Sequence, residues 1–150
     1  MVAPGTYQAR LTMGEWSRTV SFEAKIDPRV VAEGFVSRED IAAQVDLALK
    51  ARDALSDARL GAARIEQALE GATGANRNVL EEIQKELVTP ARRYSQPMLI
   101  DQLSYLYGNL DRADQRPGVD ALERYQSLKS ELDEQVAKLT DVIGSTEDGN

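Results

Sequence analysis

A long stripe of apolar side chains with helical spacing constrains this chain more than any other feature of its sequence. The stripe advances mostly in steps of one or two helical turns and consists of Ile41, Val45, Ala48, Leu55, Ala62, Ile65 and Leu69. Because an α-helix rises ~1.5 Å per residue, a helix from about 38 to 70 is roughly 50 Å long. A helix of that length fits a chain of 150 residues only if other helices lie alongside it. The sequence therefore predicts a helical bundle.

Three later segments supply the helices that the long one needs. They carry apolar faces at Leu80, Ile83 and Leu87, at Leu99, Leu103, Leu106 and Leu110, and at Leu122, Tyr125, Leu128, Leu132, Val136, Leu139 and Ile143. Pro90 ends the first of these helices and Pro97 opens the second. The pattern predicts a mainly α fold, an up-down-up bundle of three arms whose middle arm is broken near 88–97 into two shorter helices.

Two alternating runs precede the helices. Tyr7, Ala9, Leu11 and Met13 alternate with polar residues, and so do Val20, Phe22, Ala24 and Ile26. A period of two is typical of a half-buried strand. Gly14 and Glu15 between the runs supply a turn. The sequence thus predicts an N-terminal β-hairpin with one apolar face.

Such a hairpin is at best marginally stable alone, because one face of apolar side chains has nothing to bury against. Two arrangements would cover this apolar face: the hairpin lies on the helices that follow, or it completes a β-sheet whose other strands are missing from this chain. In the second arrangement the predicted partner interface is Leu11, Val20, Phe22 and Ile26. Trp16, beside the turn, is either an exposed binding anchor or a side chain packed on neighbouring structure.

Local signals set the predicted boundaries. Asp27-Pro28 ends the second strand, and Ser37 with Asp40 forms an acidic variant of the capping box at the start of the long helix. Gly144 stands where a C-terminal cap is expected. The predicted organisation is a hairpin over 1–30, a helical bundle over 36–144 and a disordered tail over 145–150.

Composition excludes several classes of function. The chain has neither cysteine nor histidine, which removes thiol nucleophiles, imidazole bases and the usual zinc sites. Its formal charge of −7 opposes binding to nucleic acid and to anionic membrane surfaces. The N-terminus lacks a charged segment followed by an apolar run, so no signal peptide is predicted. We therefore predict no catalytic, cofactor-binding or metal-binding residues, and neither a nucleic-acid nor a membrane partner.

Two groups of charged residues are candidate functional sites. A pair of carboxylates can act as acid and base in a hydrolase, and the candidates are Asp101, Asp111, Asp114, Glu131 and Glu134. None lies in an apolar run or at a strand end, so they are expected on solvated helix faces. Arg92 and Arg93, next to Tyr94 and together with Arg77, form a candidate anion contact, unless these arginines simply pair with nearby acids.

The N-terminal segment, residues 4–29, resembles the end of an immunoglobulin-like β-sandwich. The resemblance rests on Pro4-Gly5-Thr6-Tyr7-Gln8-Ala9-Arg10-Leu11-Thr12, on Gly14 and on Asp27-Pro28-Arg29. The helical part is similar to the C-terminal region of bacterial sortilin-like, BNR-repeat β-propeller proteins, which are often labelled glycosyl hydrolases. That similarity is carried by Asp40-Ile41-Ala42-Ala43-Gln44, by Arg52-Asp53-Ala54-Leu55 and by Ile100-Asp101-Gln102-Leu103-Ser104-Tyr105-Leu106-Tyr107.

The resemblance implies that the hairpin is the remnant of a sandwich and that the chain is the end of a larger, secreted protein, periplasmic or extracellular. Any activity of such proteins belongs to the propeller, so no catalytic residue carries over to this chain. The first hypothesis is then a non-catalytic structural and interaction module, whose partner is the rest of the parent protein or a second copy bound through the hairpin. The second is an independent helical adaptor that binds a partner protein along its bundle, and the third a carboxylate-based hydrolase.

Overall fold

The computed structural model describes residues 2–34 and 36–147 of the chain. Over these ranges the fold is mainly α, with an antiparallel hairpin followed by helices, which confirms the predicted fold class. The strands are β1 (Gly5–Met13) and β2 (Trp16–Ala24). The helices are α1 (Pro28–Glu33), α2 (Arg38–Leu69), α3 (Gly74–Leu87), α4 (Leu99–Leu110) and α5 (Val119–Glu147).

The described chain divides into two compact units. The first contains β1, β2, α1 and the start of α2 as far as Ala48, together with Leu110–Pro117. The second contains the remainder of α2 from Leu49, then α3, α4 as far as Asn109, and α5. The predicted three-arm bundle therefore corresponds to the second unit, in which α3 and α4 form the broken middle arm.

The hairpin closes through a two-residue turn. Met13 pairs with Trp16 at its end, and Gly14 between them has a φ of +58°. Two-residue hairpin loops need positive φ at their first central position, which glycine adopts without a steric penalty. Glycine at this position thus sets the register of both nine-residue strands.

The predicted capping box opens α2. The Asp40 backbone N–H donates to Ser37 Oγ, and the Ser37 backbone N–H donates to a carboxylate oxygen of Asp40, both over 3.0 Å. These bonds, with Arg116 3.6 Å away, hold the pKa of Asp40 below its usual value. Reciprocal capping satisfies two backbone donors that the first turn of a helix leaves unpaired.

A buried amide holds the first unit together. The Gln44 side chain is completely buried, and its Nε2 donates to the carbonyls of Leu110 and Ala113, each over 2.6 Å. Its Oε1 accepts from the backbone N–H of Gln115 over 3.0 Å. One side chain thus pairs three backbone groups of the segment 110–117. These groups lie at or beyond the end of α4, where the helix supplies no partner for them.

The second unit packs through small residues on α2, as the alanine-rich sequence predicts. Its core consists of Ala51, Ala54, Leu55, Ala58 and Ile65 of α2, Leu80, Ile83 and Leu87 of α3, Leu99, Leu103 and Leu106 of α4, and Leu128, Leu132 and Leu139 of α5. A β-carbon added to Gly61 would lie 3.6 Å from Leu87 and 3.8 Å from Leu139. Gly61 therefore lies where α2 meets side chains of both α3 and α5, at a position where a methyl group would make ordinary van der Waals contact with them.

The break in the middle arm lies where the sequence places it. α3 ends at Leu87 and α4 begins at Leu99, so residues 88–98 form the connection. Thr89 Oγ1 accepts from the Met98 backbone N–H over 2.9 Å and joins the two ends of this segment.

Two boundary predictions were wrong. Residues 28–33, which were not expected to be helical, form α1, because Asp27 caps it by accepting from the Arg29 backbone N–H and Pro28 suits its first position. At the other end α5 does not stop at Gly144 but continues to Glu147, so residues 145–147 are helical rather than a disordered tail. Residues 148–150 of that predicted tail lie outside the described residues.

Replacing Gln44 with leucine is expected to lower the free energy of unfolding by about 2–3 kcal/mol, because two carbonyls and one N–H lose their partner in a site that excludes water. Urea unfolding followed by circular dichroism measures the change. Gln67→Leu is the matched control, since Gln67 is exposed on the same helix and its replacement should change stability by less than about 0.5 kcal/mol. Equal losses in the two variants would contradict the role assigned to Gln44.

The hydrogen bonds from the Arg29 side chain and, to a smaller extent, from its backbone N–H lower the pKa of Asp27 to about 2. Since the folded state holds the charged form, this contribution to stability is present above the ordinary pKa of ~3.9 and disappears as the pH falls towards 2. In Arg29→Gln the Asp27 carboxyl should titrate nearer its ordinary value, which carbon-detected NMR measures. An unchanged midpoint in the variant would contradict the assigned cause.

Candidate interaction surface

The register of the hairpin separates its two faces by chemistry. Tyr7 pairs with Phe22, Ala9 with Val20 and Met13 with Trp16, so the apolar rows of both strands share one side. We call this side the apolar ribbon face; it consists of Tyr7, Ala9, Leu11, Met13, Trp16, Val20 and Phe22. The opposite face carries only polar side chains: Thr6, Gln8, Arg10, Thr12, Ser17, Thr19, Ser21 and Glu23.

The apolar ribbon face is open to solvent. Five of its six large side chains, Leu11, Met13, Trp16, Val20 and Phe22, are between 48% and 74% exposed, and Tyr7 is half-buried. Folded monomers rarely expose contiguous apolar patches of this kind, and such patches mark sites where another surface binds. The hairpin therefore presents the most conspicuous candidate site among the described residues.

Three of the four residues predicted for the partner interface lie on this face: Leu11, Val20 and Phe22. Ile26 does not, because β2 ends at Ala24 and Ile26 lies half-buried between β2 and α1. Met13, which the sequence places in the apolar row of the first strand, and Trp16, predicted to be either an exposed anchor or a packed side chain, also belong to the face, and Trp16 is 50% exposed. Their alternation with the neighbouring polar residues was the signal that identifies them.

One end of the face is held in place by aromatic contacts. The rings of Tyr7 and Phe22 stack with centroids 5.9 Å apart and an interplanar angle of 24°. The Tyr7 hydroxyl donates to the Ala3 carbonyl over 2.6 Å. A stacked pair across two strands stabilises the ribbon locally and fixes the shape that a partner would meet.

A single cation stands on the otherwise apolar side of the hairpin. Arg18 lies opposite Leu11 in the register, and its side chain is exposed. No ion pair joins Arg18 to another residue in the described ranges. A partner for this face should therefore offer a carboxylate or another acceptor near Leu11.

The three arginines of the predicted anion contact lie on two elements, α3 and the segment that follows it. Arg77 lies in the first turns of α3, where it pairs with Glu81 over 2.9 Å and donates to the Leu69 carbonyl over 3.3 Å. Arg92 and Arg93 follow the end of that helix, which rises ~15 Å over the ten residue steps from Arg77 to Leu87. Arg77 thus has a nearby acid as its partner, as the alternative interpretation expects, and a joint role with Arg92 and Arg93 stays a prediction. We call residues 91–95 the arginine loop.

The five candidate carboxylates lie on three parts of the chain. Asp101 lies at the start of α4, Asp111 and Asp114 in the segment after it, and Glu131 and Glu134 on α5. Glu131 accepts from the Ser127 hydroxyl over 3.0 Å, which is an ordinary contact on a helix surface. Within residues 2–34 and 36–147, no three acidic side chains are grouped as metal ligands.

A groove runs between α4 and the start of α5 in the second unit. It encloses about 560 Å³ and is lined by Pro97, Asp101, Gln102, Tyr105, Leu106, Asn109, Asp120, Ala121 and Arg124. Arg124 donates to the Gln102 side-chain oxygen along it. Tyr105, which the sequence did not mark as a site residue, is largely exposed in its lining.

Comparison with protein-family models, with curated protein sequences and with solved structures found no match for this chain. Among the helices described, none combines the length and the hydropathy that crossing a bilayer requires.

Proposed function

We propose that this chain is a non-catalytic interaction module whose hairpin docks on a β-sheet of a larger protein. The observation that carries the proposal is the exposure of the apolar ribbon face along two nine-residue strands. Burying these five side chains, each at least 48% exposed, would stabilise a complex by roughly 1 kcal/mol each, about 5 kcal/mol in all. That sum is as large as the total stability of many small domains.

The shape of the surface favours a sheet as the partner. Nine residues at ~3.3 Å each make a ribbon about 30 Å long, which is long for an isolated hairpin. Its flat apolar face matches the packing of one sheet on another, about 10 Å apart, while the polar face remains in water. A hairpin with this division of side chains is suited to be an outer layer of a β-sandwich.

The edges of the ribbon support the same arrangement. Each strand pairs with the other on one side only, so in the described residues the outer edge of each carries backbone N–H and C=O groups without a strand partner. Such edges accept further strands. Edge pairing and face packing together would place the hairpin within a sheet whose remaining strands come from the partner.

The resemblance of Pro4–Thr12 and of Asp27–Arg29 to the end of an immunoglobulin-like sandwich supports a specific partner. In this proposal the chain is the C-terminal accessory region of a secreted sortilin-like, BNR-repeat β-propeller protein, labelled a glycosyl hydrolase in that family, and it acts outside the cytoplasm. A propeller encoded directly upstream in the same reading frame would be the expected genomic context. The partner is then the rest of the parent protein.

A chain expressed alone should self-associate through the apolar ribbon face, because a second copy is the only apolar surface offered to it. Light scattering coupled to size exclusion should show mass rising with concentration. The double variant Leu11→Thr/Phe22→Thr, which keeps strand-forming residues but removes apolar area, should remain monomeric and bind less of an apolar fluorescent dye.

The matched control for that experiment is Gln8→Thr/Ser21→Thr, which changes two residues on the polar face that pair with each other. It should associate as the unmodified chain does. A clean monomer of the unmodified chain at high concentration, with no dye binding, would count against the proposal.

The groove between α4 and α5 favours a second function, that of a helical adaptor. Its floor contains Leu106 and Ala121, and no ion pair links the rim residues Asp101 and Asp120 to other described residues. An apolar floor with free carboxylates beside it fits an amphipathic helix that carries lysine or arginine next to its apolar stripe. The occupant would be a basic helix of a partner protein.

A labelled helical peptide of leucine and lysine tests this second function. Fluorescence anisotropy should show binding that Tyr105→Ser weakens about tenfold, because an exposed tyrosine at a groove wall is a typical binding anchor. Leu60→Ser, which removes an exposed apolar side chain of α2, is the matched control. Equal affinity in both variants would remove the groove as the site.

A further inference from the structure

The arginine loop carries positive charge that the chain does not neutralise. The protein has 25 acidic and 18 basic residues, yet no ion pair joins Arg92 or Arg93 to any residue in the described part of the chain. Both side chains are exposed. Although the protein as a whole is negatively charged, these two adjacent guanidinium groups form a positively charged patch on its surface.

An aromatic side chain completes this surface. Tyr94 is 87% exposed and has a φ of +64°, a left-handed conformation that tyrosine rarely adopts. The Arg93 guanidinium lies 5.1 Å from the centre of its ring, within cation–π range. Non-glycine residues in this region are maintained only where surrounding structure holds them, and they concentrate at binding sites.

Hydrogen bonds hold the loop in one conformation. The Arg92 carbonyl accepts from the Ser95 hydroxyl over 3.1 Å, and the Arg92 N–H donates to the Pro90 carbonyl over 2.7 Å. The bond between Thr89 and Met98 closes the segment at its base. A loop fixed before binding loses little conformational entropy when a partner arrives.

We propose that the arginine loop binds an extended, carboxylate-rich segment of a partner protein. The loop forms a concave surface of about 380 Å³ whose lining includes Pro90, Arg92, Arg93, Tyr94 and Met98. Each guanidinium offers a planar pair of donors to a carboxylate, and the ring and Met98 receive apolar parts of the same segment.

This surface lies in the second unit and uses no residue of the hairpin. It is therefore independent of the proposed function, and either can fail alone.

The probe is a fluorescein-labelled peptide of alternating glutamate and leucine, titrated with the full chain at low ionic strength and followed by anisotropy. Arg92→Gln/Arg93→Gln should weaken binding at least about tenfold, since both charged donors are lost. Arg59→Gln/Arg112→Gln makes the same change of net charge at two exposed arginines elsewhere and should bind as the unmodified chain does. Thermal unfolding should be the same for all three proteins, because every altered side chain is exposed.

Tyr94→Gly distinguishes the contribution of the aromatic ring from that of the left-handed backbone conformation at this position. Glycine keeps the positive φ without strain, so a loss of about threefold or more assigns the contribution to the ring. The proposal is overturned if the unmodified chain does not bind the peptide, or if the two double variants bind it equally. It is also overturned if only a phosphoserine version of the peptide binds, because the site would then be specific for phosphate.

Discussion

A two-stranded hairpin forms a single layer. Any surface that covers its apolar face must therefore belong to another part of the chain or to another molecule. In this chain the turn at Gly14 fixes a register in which every large apolar side chain of both strands points to the same side. A shift of one residue would have mixed the two rows, because side chains in a strand alternate with a period of two. The observed pairing therefore concentrates apolar area on one face, which is open to solvent.

The helical part of the chain satisfies itself in a way that the hairpin does not. Among the described residues no side-chain nitrogen or oxygen is buried without a hydrogen-bond partner, and Gln44 pairs three backbone groups of the segment 110–117. The apolar stripes of α3 and α4 are buried. The exposed apolar side chains of the helices, such as Leu60 of α2 and Val119 of α5, lie on different elements, whereas those of the hairpin share one face.

Local patterns in the sequence were enough for most of the architecture. The period of two in the strands, the helical stripe of α2 and the reciprocal cap at Ser37 are signals that act over a few residues, and tertiary contacts did not override them. α1 was missed because six residues are too few to show a period, although Asp27-Pro28 is a good helix start. The interruption predicted at Gly144 was wrong because a glycine costs a helix only about 1 kcal/mol, less than a complete break requires.

Side-chain contacts were harder to predict than the fold, because they depend on which groups meet in three dimensions. Gln44 stands three residues after Ile41 on the buried stripe, so its burial was readable, but its partners lie more than 60 residues away. Arg77 was grouped with Arg92 and Arg93 from its charge alone. Its partner in the structure is Glu81 one helical turn on, a pairing that the spacing of the two residues in the sequence already favours.

The two proposed surfaces use different physics, and this gives each of them a separate signature. Association through the apolar ribbon face removes apolar area from water, so excluded salts such as sulfate should strengthen it. Binding at the arginine loop depends on exposed charges, whose interactions are screened beyond ~10 Å at 0.1 M ionic strength and weaken as salt is added. Since the apolar side of the hairpin also carries the unpaired Arg18, a partner that covers it must combine both kinds of contact. A sheet that presents a carboxylate among apolar residues would therefore be selected over one that is apolar throughout, because the latter would bury the guanidinium without an acceptor.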